Sequence, residues 1–348
     1  MLRLRIILLF TFIATTGTSE GFADGYLLFE SDNTLELILE VPTKTLLRRA
    51  KRKPVLQGQL RYIDASGNEV AIAIDITTRG RSRLEHCSFP PLSIALNRDQ
   101  VGSTLFAGQR KLKIVTHCNK GSTYLRYLHQ EFGIYKAYNV LSEHSFRVRM
   151  LSITYRDIDK KRRDEVQPAF FIESDDEVAQ RLGMESVKTP SIKVEQLDPV
   201  ETSTYGLFQY MIANTDWSIK KGPGTEDCCH NGKVIAHPGA EDNWVVLAYD
   251  FDQSGIINTK YALPAKGLGI RTVRSRLYRG RCRHNDQLDE TIALFNDRRE
   301  DIEAALVPQS LTERARRSAL KYLGAFYAII NDPVKLNKEI ISACLGGR

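Results

Sequence analysis

The stretch ESDDEVAQRLG, residues 173–183, divides the chain into two patterns. Ser174 precedes three acids and an apolar pair, and Gly183 follows, so the segment reads as a short helix with a hydroxyl cap and a glycine stop. Before it, strand signals dominate. LELILEVP (35–42), LQGQLRYI (56–63), EVAIAIDITT (69–78), LSIAL (92–96) and KLKIVTHC (111–118) are rich in β-branched and alternating apolar residues, and DASGN (64–68) supplies a turn. Residues 121–143 interrupt the strands with a helix, because Leu125, Leu128, Phe132, Tyr135 and Val140 recur at roughly helical spacing. Strands resume at FRVRMLSITYR (146–156) and QPAFFIE (167–173). Past 183 the period turns helical in 200–214, 269–280, 285–306 and 310–332, the last stopped by Pro333. The expected class is α+β: a β-rich N-terminal lobe over 24–173, then a mostly helical C-terminal lobe over 174–348.

The first residues set the expected compartment. MLRLR is basic, IILLFTFIA is a 9-residue apolar run, and small polar residues follow, as in a secretory signal peptide over 1–23 cleaved near Ala23. The apolar run falls short of the roughly 20 residues a spanning helix needs. The expectation is a secreted or periplasmic protein with no membrane span after cleavage. Six cysteines in such a chain read as disulfide partners: Cys87 with Cys118, and Cys282 with one of the adjacent Cys228 and Cys229. No zinc-ligand spacing is present. The net charge is +7, with basic runs at 48–54 and 159–165. Both runs lie beside turn residues and lack interleaved aromatics, so they read as solvated loops, and no nucleic-acid partner is expected.

Chemistry concentrates in NTDWSIKKGPGTEDCCHN (214–231) and in WVVLAYDFDQSG (244–255). The apolar run before Asp250 reads as a buried strand, and alternation along it would put Asp250 and Asp252 on one face, able to meet one metal ion together. The plainer alternative is a strand that ends in solvated acids. Asp216 after Asn214 also suits an ordinary Asx turn, and Asn231-Gly232 a hairpin. His230 reads as a hydrogen-bonding loop histidine.

The order of elements, with strands interrupted by one helix, then a helix, an Asp-bearing loop and an acidic strand end, resembles the plan of protein-kinase-like folds. TRGRSRLEHCSFPPLSIAL (78–96) resembles a segment of CotH-type spore-coat kinases and their secreted relatives, and N-x-D, HN and D-x-D follow in that family's order at Asn214/Asp216, His230/Asn231 and Asp250/Asp252. The resemblance implies a two-lobed fold that moves a phosphoryl group from ATP to a hydroxyl of a protein or small molecule. Asp216 would orient or deprotonate the acceptor. Asn231, Asp250 and Asp252 would hold Mg2+ or Mn2+, ions that prefer hard oxygen ligands. A lysine on the phosphates, Lys113 or its alternating neighbour Lys111, would pair with Glu131 on the helix. Arg79, Arg81 and Arg83, spaced to share a strand face, would add phosphate contacts.

Some positions depart from the family pattern. No G-x-G-x-x-G precedes the lysine, and Pro90-Pro91-Leu92 stands where the family tends to place one. Asp216 and Asn231 are 15 residues apart, far more than in the usual kinase loop H-R-D-x-x-x-x-N. Asp252 replaces the glycine of D-F-G. Two other readings follow: a catalytically silent, kinase-shaped binding protein of the cell envelope, and a metal-dependent hydrolase built on Asp216, Asp250 and Asp252.

Overall fold

A computed structural model describes residues 27–224 and 226–346; the expected signal peptide over 1–23 lies outside them. The N-terminal half runs β1 (Leu35–Val41), α1 (Thr43–Arg48), β2 (Leu56–Ile63), β3 (Glu69–Thr78), α2 (Ser82–His86), β4 (Leu92–Leu96), β5 (Lys111–Thr116), α3 (Ser122–Leu141), β6 (Val148–Asp157) and β7 (Glu165–Ile172). These seven strands close into a barrel in the order β1-β2-β3-β4-β5-β7-β6. All neighbours are antiparallel except the closing pair, where β1 lies parallel to β6 from Leu35↔Leu151 to Val41↔Asp157. Alternate residues of each strand fill the interior, among them Leu37, Leu39, Leu60, Ile74, Ile94 and Ile153, all buried.

This closure corrects the expected two-lobed, protein-kinase-like fold. An open sheet with a free edge and a closed ring read alike strand by strand. What separates them is one parallel pairing across more than a hundred residues, which no local pattern encodes. The α+β class holds.

The second half runs α4 (Asp175–Arg181), β8 (Glu185–Ser186), α5 (Pro199–Met211), β9 (Gly232–Ala236), β10 (Val245–Ala248), α6 (Leu288–Asp297), α7 (Arg299–Leu306), α8 (Glu313–Ile330) and α9 (Pro333–Leu336). Ser174 caps α4 as expected, in a full capping box with Glu177. β8, β9 and β10 form a small sheet of their own. A second apolar core joins α3, α5, the small sheet and the C-terminal helices. The helix expected over 269–280 is absent: the segment is irregular. Its arginines satisfy carbonyls elsewhere instead, Arg276 those of Met211 and Tyr322, and Arg279 those of Thr215 (2.6 Å) and Trp217 (2.7 Å).

Three disulfides form, Cys87–Cys118, Cys228–Cys229 and Cys282–Cys344. The first is the expected pair. The expected pairing of Cys282 with Cys228 or Cys229 is replaced, because a backbone bridge between Arg281 and Leu345 delivers Cys344 to Cys282 while Cys228 and Cys229 bond each other. The disulfides fit an oxidising compartment. Among the described residues no helix is long and apolar enough to cross a membrane.

α3 crosses the outside of the barrel, with Phe132 and Tyr135 against Phe170, and meets α7 where Gly133 leaves no room for a side chain. A Cβ there would lie 2.5 Å from the Ala305 carbonyl oxygen. Gly133→Ala is expected to lower unfolding free energy by roughly 1–3 kcal/mol through overpacking. Gly324→Ala, in an open position of α8, should raise it by roughly 0.5–1 kcal/mol. Urea titration of both variants checks the pair.

Candidate active site

The Asp216 loop follows α5 and is pinned on several sides. Asn214 Oδ1 accepts the Asp216 amide at 3.1 Å, the Asx turn expected of that pair, and the Trp217 indole donates back to the Asn214 carbonyl at 2.9 Å. Arg279 holds the carbonyls on either side of Asp216 and stacks on the Trp217 ring. Across the loop, His230 Nε2 lies 2.8 Å from Asp216 Oδ1, and the Asn231 amide donates to the Asp216 backbone at 2.6 Å and to its carboxylate at 3.1 Å. Asn231 adopts φ 51°, the left-handed region that Asn tolerates, and turns the chain into β9. His230 is thus the hydrogen-bonding loop histidine expected, and its partner is Asp216. The hydrogen bond to Asp216 raises its pKa above the ordinary histidine value, with burial opposing.

Strand β10 ends at Ala248, so Asp250 and Asp252 sit in the turn beyond it and strand alternation does not place them. Backbone conformation does. Asp250 takes φ 61° and its amide donates to the Tyr135 hydroxyl at 3.1 Å, which aims both acids into one cleft of about 330 Å3. The left-handed residue at this turn is thus Asp250, and no glycine is needed at 252. The same cleft is lined by Asp216, Asn231, Glu131 and Arg83.

The structure corrects the expected phosphate role of Arg83. The expected strand face of Arg79, Arg81 and Arg83 does not exist, because β3 ends at Thr78 and the three lie in a loop and the short α2. Each reaches across the molecule to a group of this chain: Arg79 to the Tyr249 hydroxyl, Arg81 to Glu226, and Arg83 to the acids of the cleft. Arg83 Nε is 2.8 Å from Asp252 Oδ2, and its Nη2 is 2.6 Å from Glu131 Oε1 and 3.7 Å from Asp250 Oδ1. Burial works against the guanidinium, but Asp252 and Glu131 outweigh it and keep its pKa well above the usual arginine value. Glu131 therefore pairs with Arg83 and with neither Lys113 nor Lys111. The two lysines face a different cavity on the barrel wall, which α3 does not reach.

That cavity, about 910 Å3, adjoins the acidic cleft and shares Arg79, Lys233 and Tyr249 with it. Lys53, Arg110, Lys111 and Lys113 add further cations, and Asp175, Asp176 and Glu177 form an acidic wall at the start of α4. Lys111 is exposed at its rim. Lys113 is sunk inside, with its ammonium over the Tyr249 ring at 4.9 Å and 3.6 Å from Asp175 Oδ1, and its Nζ has no hydrogen-bond partner. Burial pulls its pKa down to about 8, with Asp175 opposing.

No protein-family model matches the chain, and no curated protein matches it either. The function must be read from the cleft itself. Among the described residues no group of three His, Cys, Asp or Glu side chains is set to hold a metal ion. The carboxylates nevertheless differ in availability: Asp252 and Glu131 are buried on Arg83, whereas the Asp250 side chain keeps 42% of its surface open to the cleft and the Asn231 amide oxygen is unused.

Burial and the neighbouring Asp252 hold the Asp250 carboxyl above the ordinary aspartate range, with Arg83 and Arg79 opposing. A folded-state pKa above the unfolded one means that ionising Asp250 costs native stability as pH rises through it. With 42% of the side chain open, solvent screens part of this cost, so Asp250→Asn, which also suits a left-handed backbone, should raise the melting temperature only slightly at pH 7.5 in EDTA, and the gain should shrink toward pH 4. Melting curves across that range check it.

Proposed function

We propose that this protein is an exported phosphotransferase that moves the terminal phosphoryl group of ATP to a hydroxyl of a protein or small molecule, as the resemblance to CotH-type kinases implies. The observation that carries the reading is the adjacency of two unlike sites: an acidic cleft holding Asp216, Asn231 and Asp250, and a cationic cavity lined by Lys53, Arg79, Arg110, Lys111, Lys113 and Lys233. Asp175 gives the Lys113 ammonium an ion pair at 3.6 Å but no close hydrogen bond, which leaves its donors free for a second anion such as a polyphosphate.

A divalent ion would be held by the open Asp250 carboxylate and the Asn231 amide oxygen. Those donors suit Mg2+ or Mn2+, since Mg2+ commonly takes one or two carboxylates together with substrate phosphates. When bound, the ion neutralises charge on the polyphosphate. The chain's own residues do the rest. Lys113 anchors the phosphates, and Arg79 and Lys233 line the passage between the two sites. Asp216, held in orientation by His230 and Asn231, accepts the acceptor hydroxyl proton as the new P–O bond forms and the bond to the leaving diphosphate breaks. The three disulfides support export; cleavage of residues 1–23 is part of the same proposal.

One observation favours a second reading, a catalytically silent binding protein: two of the carboxylates lining the cleft, Glu131 and Asp252, are already engaged by Arg83. Nucleotide with Mg2+ or Mn2+ is expected to raise the melting temperature, and Asp250→Ala to abolish the rise. Asp216→Asn should retain the rise while transfer of labelled terminal phosphate falls by roughly 10²–10⁴-fold. Stabilisation without any transfer by the wild type, or no stabilisation at all, counts against the phosphotransferase and leaves the catalytically silent binding protein.

Lys113 adds a pH signature. Only the ammonium attracts phosphate, so nucleotide affinity should fall as pH rises from 7 to 9 through the lysine's pKa of about 8. Lys113→Arg, which stays charged, should flatten that slope; equilibrium binding at several pH values measures it.

A further inference from the structure

The acids of the cleft differ in what they face. Glu131 and Asp252 each give an oxygen to a different nitrogen of one guanidinium, at 2.6 and 2.8 Å, and both side chains are almost wholly buried with it. Asp250 stands 3.7 Å from the same group, beyond hydrogen-bond reach, and remains open to the cleft. A guanidinium cannot lose its proton in this setting, and its fixed planar fork serves two carboxylates in two directions. Any divalent ion entering between Glu131 and Asp252 would meet that positive charge and would find the nearest oxygens engaged.

Arg83 is also held from outside the cleft. It lies on α2, between Arg79, which reaches Tyr249, and Cys87, which is bonded to Cys118 at the end of β5. His86, on the same helix, stacks on Tyr261 with ring planes 6° apart. The segment carrying the guanidinium is thereby clamped at several points, so the charge is a fixture of the cleft.

We propose that Arg83 is a built-in cation that replaces a divalent ion on Glu131 and Asp252, and so limits the cleft to a single Mg2+ or Mn2+ on Asp250 and Asn231. The single-ion part rests on the metal-dependent transfer proposed above; the replacement part does not. Arg83 is a positioning residue, acting through the carboxylates it holds. Taking it away leaves two buried carboxylates close together without a counter-charge, an arrangement that attracts a hard divalent cation.

The test counts Mn2+ bound per chain by following the free-ion resonance during titration of the full chain, with no nucleotide present. Arg83→Gln is expected to bind one more Mn2+ than the wild type, and Arg83→Lys, which keeps the charge, the same number as the wild type. If Arg83→Gln unfolds in EDTA, saturating Mn2+ is expected to restore its fold. An Arg83→Gln chain that binds no more Mn2+ than the wild type, or that stays unfolded at saturating Mn2+, overturns the proposal. The two readings fail separately. No Mn2+ on the wild type beside one on Arg83→Gln upholds the built-in cation and counts against metal-dependent transfer. One Mn2+ on the wild type, lost in Asp250→Asn and not increased in Arg83→Gln, does the reverse.

Discussion

One buried guanidinium joins the parts of the chain on which the cleft depends. Arg83 comes from the loop between two barrel strands, Glu131 from the helix laid on the barrel, and Asp252 from the turn after the small sheet. No one of these segments fixes the others through the backbone. Their common ground is a charge network that excludes water and has little freedom to rearrange, because unpairing any member would leave a buried ion uncompensated. The cleft's openness at Asp250 and its closure at Asp252 both follow from where that network ends.

The barrel provides the frame. Closure by the β1–β6 pair removes the free edges an open sheet would expose and fixes the radial direction of every side chain. It turns Lys113 outward into the cationic cavity and directs the loop after β3 across to the acidic turn. α3 ties the cleft to the second core: Tyr135 touches the Asp250 amide, Glu131 the guanidinium, and Gly133 the backbone of α7.

Local structure was largely legible in the sequence. The strand segments, the helix near 121–143 and the Ser174 cap follow from short-range rules of period and capping, and the Cys87–Cys118 pair joins cysteines of the same strand-rich half. What depends on distant partners was not. The period-2 signal of 35–42 carries no information about whether the strand has one neighbour, at 60, or a second at 151, and so cannot separate a ring from an open sheet. The arginine-rich 269–280 has helical periodicity, yet its side chains gain more by satisfying carbonyls of other segments. The convergence of Asp216, Asn231, Asp250 and Asp252 on one cleft was anticipated, but for the wrong local reason, since a left-handed turn at Asp250 does the work assigned to strand alternation. Arg83 gave no signal as the partner of Glu131, because a charge pair between residues 83 and 131 leaves no trace in spacing.

The pinning of Trp217 has a practical side. The chain has two tryptophans. One of them, Trp244, lies at the start of the small sheet with its indole on the Ala240 carbonyl, away from the cleft. The other is one residue from Asp216, packed on Tyr205 and under the Arg279 guanidinium. Cationic and polar neighbours at such range tune indole emission, so the molecule carries an intrinsic fluorophore one residue from Asp216, and its emission reports whether the Arg279 clamp on the Asp216 loop is in place.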